Sequence, residues 1–216
     1  MFNINIYKKI LKEIEGFGKK TQIVAVSKNH PKTSVESALS YGVRIFGENR
    51  VQEAKAKFDD LKESYKNIEL HLTGPLQTNK VKEAIRLFDV FHTLDREKLA
   101  REFVKNGELY NKKFFIQVNT GREKNKSGIY IEDLNQFVNY CTNDLSLNIV
   151  GLMCIPPVND KPKEHFSILS NEAKKNNLSK LSMGMSSDYT EAIELNATYI
   201  RIGTSLFGKR LQWKPH

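Results

Sequence analysis

Only two cysteines, Cys141 and Cys154, occur among the 216 residues, in unrelated contexts without metal-ligand spacing. This argues against a disulfide scaffold or a cysteine-held metal, and a reduced, cytoplasmic setting is expected. No apolar run approaches the roughly 20 residues that a membrane-spanning helix needs, so no membrane partner is expected. No stretch rich in proline, glycine or serine divides the chain, and residues 1–216 are expected to form one domain. Also missing is a G-x-G-x-x-G, the fingerprint that an open dinucleotide-binding sheet would ordinarily show. Basic residues outnumber acidic ones by 34 to 25, a net +9, yet they alternate with Glu and Asp along nearly every segment. Without an arginine-rich arm or an aromatic-interleaved basic ribbon, this is a solvated lysine-rich surface, and no nucleic-acid partner is expected.

What is present is a regular beat. Ile6, Ile10, Leu11 and Ile14 recur at helical spacing among Lys8, Lys9, Lys12 and Glu13, which predicts a docked amphipathic helix and not a secretory leader. Ile23, Val24, Ala25 and Val26 form a short, largely β-branched run bounded by Pro31, a buried strand. Strand-like runs recur over 43–48, 69–76, 90–94, 114–120, 149–155, 180–185 and 199–207. Between them lie helical patterns over 34–41, 51–65, 80–87, 96–106, 131–142, 165–176 and 187–196. Strict β-α alternation calls for parallel pairing through right-handed crossovers. Eight such strands close into a (β/α)8 TIM barrel, with the N-terminal helix as an additional element.

In a barrel of this kind chemistry collects at the C-terminal ends of the strands. Strand one ends in Lys28, where partial desolvation favours a neutral, nucleophilic amine. Strand two ends in Gly47-Glu48-Asn49, and strand three carries His71. Strand seven runs into Ser182-Met183-Gly184-Met185-Ser186-Ser187-Asp188, where Asp188 and Glu191 have the spacing of a capping box. Strand eight supplies Arg201-Ile202-Gly203-Thr204, with Arg201 and Gly203 on one face of the strand. The loops after strands seven and eight are the usual phosphate cradle of this architecture. A lone buried guanidinium is costly, so Arg201 must be paired or bound to a ligand. Lysine, phosphate cradle and arginine together fit a phosphorylated aldehyde, pyridoxal 5′-phosphate, held as a Schiff base on Lys28.

At these same residues the chain resembles the pyridoxal phosphate homeostasis protein family, also called the proline synthase co-transcribed family. The resembling blocks include Ala25-Val26-Ser27-Lys28, Phe46-Gly47-Glu48-Asn49-Arg50, Gly74-Pro75-Leu76-Gln77, Asn125-Lys126-Ser127-Gly128, Leu181-Ser182-Met183-Gly184-Met185-Ser186 and Arg201-Ile202-Gly203-Thr204. They span nearly the whole chain in family order. The Leu70-His71 pair departs from relatives that often carry Trp before the His. The resemblance implies a barrel like the N-terminal domain of alanine racemase. It places the cofactor on Lys28, the phosphate on Ser186, Gly203 and Thr204, and the ring nitrogen against Arg201. Asn49, His71 and Met183 complete the expected cofactor-binding set, with no catalytic or metal-binding residue assigned.

Two function classes follow. The first is a carrier that stores, protects or delivers pyridoxal phosphate within vitamin B6 homeostasis, with PLP-dependent apoenzymes as partners. The second is a PLP-dependent amino-acid racemase. Racemisation needs acid-base groups on both faces of the substrate, and related racemases take the second from an additional β domain. Only residues 209–216 follow Phe207-Gly208, so the carrier is the expectation, as a monomer.

Overall fold

The computed structural model describes residues 2–209. Eight parallel strands form a closed barrel in sequence order: β1 (Gln22–Val26), β2 (Ile45–Glu48), β3 (Glu69–Leu72), β4 (Val90–Leu94), β5 (Lys113–Gln117), β6 (Ile149–Met153), β7 (Lys180–Ser182) and β8 (Tyr199–Ile202). The ring closes where β8 pairs with β1 in the register Val24 to Arg201 and Ala25 to Ile202. The expected (β/α)8 barrel with an additional N-terminal helix is therefore the fold.

Nine helices accompany the strands among the described residues: α1 (Ile4–Gly16), α2 (Lys32–Ser40), α3 (Val51–Ser64), α4 (Val81–Leu87), α5 (Glu97–Asn106), α6 (Ile131–Asn139), α7 (Pro162–Lys175), α8 (Tyr189–Glu194) and α9 (Thr204–Phe207). Asn3 caps α1, its side-chain oxygen accepting from the Ile6 amide over 3.1 Å. The buried stripe Ile10 and Ile14 docks α1 as its apolar spacing predicts. The Asn3 amide donates to the Leu206 carbonyl over 2.7 Å, and the Phe2 and Phe207 rings pack 5.5 Å apart, tying the start of the chain to its last helix.

Side chains alternate between two apolar layers because successive strand residues point to opposite sheet faces. Inside the barrel Val24, Val26, Val90, Phe115, Met153 and Tyr199 form one cluster. The larger cluster fills the space between barrel and helices, with Phe46, Phe58, Leu70, Phe91, Phe103 and Phe114 among its members.

Five strands, β3, β5, β6, β7 and β8, stop short of their expected runs. β3 ends at Leu72, before Gly74 and Pro75. β8 ends at Ile202, and Thr204–Phe207 form α9 instead of continuing the strand. Leu206 and Phe207 still face the core, so a short apolar run concealed the change from a strand to a single helical turn.

Candidate functional site

Lys28 follows β1 on a short turn whose neighbours are tied down. Ser27 is fully buried, and its hydroxyl donates to Glu48 Oε1 over 2.6 Å. The Ser27 carbonyl accepts from Lys57 Nζ over 2.8 Å, and the Asn29 amide donates to Glu53 Oε1. Asn29 itself adopts the left-handed conformation at φ 60°, which asparagine tolerates better than most residues. Lys57 and Glu53 lie one turn apart on α3, 2.9 Å from each other, and Lys57 also stands 2.6 Å from Glu48. All three charged side chains are buried. Burial pushes the Glu48 carboxyl up to about 7, with Lys57 opposing and Glu53 adding to the rise. Its Oε2 is a buried oxygen with no hydrogen-bond partner among the described residues. The half-buried Lys28 thus projects from a turn gripped on both sides.

On the opposite rim, β7 leads through Gly184, at φ 88°, into Met185, Ser186 and Ser187. A Cβ on Gly184 would also lie 2.5 Å from Ala192 Cβ, so this bend requires glycine. Asp188 stands at the N-cap of α8, but its side chain does not cap the helix. Its carboxylate turns back to accept from the Met185 amide over 2.5 Å, so the expected capping box is replaced by a bond that shapes the loop. The amides of Ser186 and Ser187 make no backbone hydrogen bond among the described residues.

Arg201 projects inward from β8 and is only 5% exposed. Its Nη1 donates to Ser182 Oγ over 2.7 Å and its Nη2 to the Cys154 carbonyl over 3.0 Å. No carboxylate forms an ion pair with it among the described residues, and burial lowers its pKa. A buried guanidinium paired only with neutral acceptors keeps donors for a ligand. Nearby, the Asn49 side-chain oxygen accepts from Thr73 Oγ1 over 3.0 Å, which leaves its amide N–H groups as donors.

Lys28, Asn49, Ser186, Arg201, Gly203 and Thr204 line one cavity of about 290 Å³. Val26, Thr73, Ile155, Met185 and Ser187 complete the lining; the sequence places them at or just past strand ends but does not assign them to the cofactor. His71 and Met183 stand outside it. His71 is wholly buried one layer deeper in the barrel, two residues before Thr73, and Met183 packs into the apolar layer beneath the helices. Among the described residues no group of three or more His, Cys, Asp or Glu side chains is placed to hold a metal ion. No helix among them is long and apolar enough to cross a membrane.

The residues suit a small phosphorylated aldehyde. An amine stands at one side of the cavity, unpaired amides with serine and threonine hydroxyls at another, and a buried guanidinium at its base. Fold and site define a (β/α)8 barrel with a lysine just after the first strand and, on the same cavity, serine and threonine hydroxyls in the loops after the last two. The chain belongs to the family of the alanine racemase N-terminal domain, whose model matches residues 4–210, and within it to the pyridoxal phosphate homeostasis proteins. The pyridoxal phosphate homeostasis protein of Aquifex aeolicus is 36% identical, over 88% of this chain and 87% of that one. PipY of Synechococcus elongatus, solved without PLP, superposes with a TM-score of 0.81 at 37% identity, covering 88% of this chain and 93% of that chain. The same protein with PLP bound gives a TM-score of 0.77 at 35% identity and the same coverage.

Proposed function

We propose that this protein binds pyridoxal 5′-phosphate at the barrel mouth and serves intracellular vitamin B6 homeostasis, holding the cofactor and turning over no substrate. One observation carries the reading: Lys28 of the first strand and Arg201 of the last line one small cavity, with Ser186, Gly203 and Thr204 beside them. The solved relative that holds PLP, PipY, supports it.

In this reading residues 1–216 act as one cofactor-binding domain. The Lys28 amine holds the aldehyde carbon. The hydroxyls of Ser186 and Thr204, with the neighbouring amides, hold the phosphate, and Asn49 donates to a ring substituent. When bound, the group supplies an electrophilic carbon and a ring able to take up negative charge. Arg201, a permanent donor, keeps the ring nitrogen unprotonated and so weakens that second capacity. Among the described lining residues Lys28 is the one side chain other than Arg201 that carries an ionisable amine or acid, enough for attachment and release. Racemisation would require a second such group on the other face of the substrate.

The partners that fit are pyridoxal phosphate and cytoplasmic apoenzymes that receive it, with the carrier acting as a monomer. Pyridoxal phosphate added to the purified protein is expected to give a visible absorption band, and borohydride to leave a pyridoxyl group on Lys28. A Lys28→Ala protein that keeps the same band would remove the site from Lys28. Racemisation of any common amino acid by the loaded protein at on the order of 1 per second or faster would overturn the carrier reading.

A further inference from the structure

Beneath the cavity a run of hydrogen bonds crosses the barrel interior, and the cofactor contacts alone do not account for it. Arg201 Nη1 donates to Ser182 Oγ over 2.7 Å. Ser182 Oγ lies 2.7 Å from His92 Nδ1, His92 Nε2 lies 2.8 Å from His71 Nδ1, and His71 Nε2 lies 2.8 Å from Glu69 Oε1. Four strands supply these groups: β8, β7, β4 and β3. Ser182, His92 and His71 are wholly buried. Phe115 stacks on His92 at 4.8 Å and Tyr199 meets His71 edge-on at 4.9 Å, so the polar line is sheathed in aromatic rings. At the far end Glu69 also receives Lys113 at 3.0 Å.

The two ends fix the direction of every bond. A guanidinium only donates, and an ionised carboxylate only accepts. The hydrogen bond from His71, then Lys113, holds the Glu69 carboxyl down at about 2, so it is ionised. Burial lowers the pKa of both imidazoles, that of His92 most strongly, with Arg201 adding to the effect there and Glu69 opposing it at His71. Each neutral imidazole has one donor and one acceptor. His71 therefore gives its Nε2 proton to Glu69 and accepts at Nδ1. His92 donates from Nε2 and accepts at Nδ1. The single proton of Ser182 goes to His92, which turns the lone pairs of its oxygen toward Arg201. All four bonds point the same way, an arrangement in which each polarises the next.

We propose that Ser182, His92 and His71 form a positioning chain, anchored on Glu69, that fixes the Arg201 guanidinium as a donor facing the cofactor cavity. The role of Arg201 toward the cofactor rests on the function proposed above, whereas the chain stands on its own geometry. The guanidinium forms no ion pair among the described residues, the Asp188 carboxylate acting on it only through space, and the line of three neutral side chains runs from it to Glu69 at the opposite end of the barrel.

The test has two arms. In the cofactor-free protein, long-range proton–nitrogen correlation spectra are expected to show His71 and His92 as neutral Nε2–H tautomers from about pH 5.5 to about 8. Either ring protonated at Nδ1, or cationic in that range, overturns the chain. In the second arm, Ser182→Ala frees Arg201 from its neutral anchor. Its affinity for pyridoxal phosphate is expected to fall about tenfold, and its bound-cofactor absorption to titrate with pH where the wild-type band stays constant. Wild-type affinity with an unchanged band overturns the positioning role, and the His71 and His92 resonances report that the variant is folded. A wild-type protein that takes up no pyridoxal phosphate would defeat the cofactor reading instead, while the tautomer spectra still decide the chain.

Discussion

The Lys57 ammonium donates to the carbonyl of Ser27, the residue directly before Lys28, across 2.8 Å. With Glu53 accepting from Asn29 on the other side, one buried charge pair on α3 clamps the turn that presents Lys28. Glu53 and Lys57, four residues apart, share the buried face of α3 with Ala54, Phe58 and Leu61. Function and stability therefore meet at Lys57.

Replacing Lys57 with Met leaves Glu48 and Glu53 without their buried cation. The loss expected is about 3–5 kcal/mol, the range for breaking a buried ion pair from one side. Urea unfolding measures it, and a loss below about 1 kcal/mol would show that water already reaches the cluster.

Glu48 makes stability depend on pH. Its folded pKa of about 7 lies above the ordinary 4.5, so in between the folded state binds the extra proton. The contribution is fully present below about pH 4.5 and is lost as pH rises through about 7. Glu48→Gln, which stays neutral, is expected to lose less stability than wild type between about pH 5 and about 7.5. Parallel losses in the two proteins would assign the dependence elsewhere.

Glu69 acts in the opposite sense. Its pKa is lowered to about 2 by His71 and then Lys113, so its contribution is present above about 4.5 and lost as pH falls toward 2. Glu69→Gln is expected to flatten acid unfolding in that window, as followed by circular dichroism. The same substitution reaches Arg201 through the histidines and is expected to shift the absorption band of the bound cofactor.

Arg201→Met separates cofactor binding from folding. The guanidinium has no ion-pair partner to strand, and the exposed cost is two unpaired acceptors, Ser182 Oγ and the Cys154 carbonyl. Apo stability is expected to fall by no more than about 2 kcal/mol while pyridoxal phosphate affinity drops tenfold or more. Unchanged affinity would make Arg201 purely architectural.

Both thiols are buried and pushed up to about 12, chiefly by burial. Neither Cys141 nor Cys154 is expected to react with a disulfide reagent at about pH 8 until the protein unfolds. Rapid labelling of one thiol in the native state would locate a local opening.

The barrel was legible because short strand-like runs alternate with helical patterns along the chain, and the site because polar residues stand at the ends of those runs. Two kinds of feature stayed hidden. Where apolar residues continue past a strand, as at Leu206 and Phe207, periodicity does not separate a strand from one helical turn. And a charged residue on a buried face looks like any surface charge until its partners are known. Lys57 and Glu48 are such a case. His92 is another: the strand-like run over 90–94 contains it, but only the neighbouring β3 brings His71 to it.

The seam between β1 and β8 has a consequence for synthesis. Lys28 emerges early from the ribosome and Arg201 near the end, and they become neighbours only when the two strands zip together. In the proposed function, the cofactor site is therefore completed only when the ring shuts. Bleaching on gentle heating or in mild denaturant would time the reverse event, the parting of the earliest and latest strands.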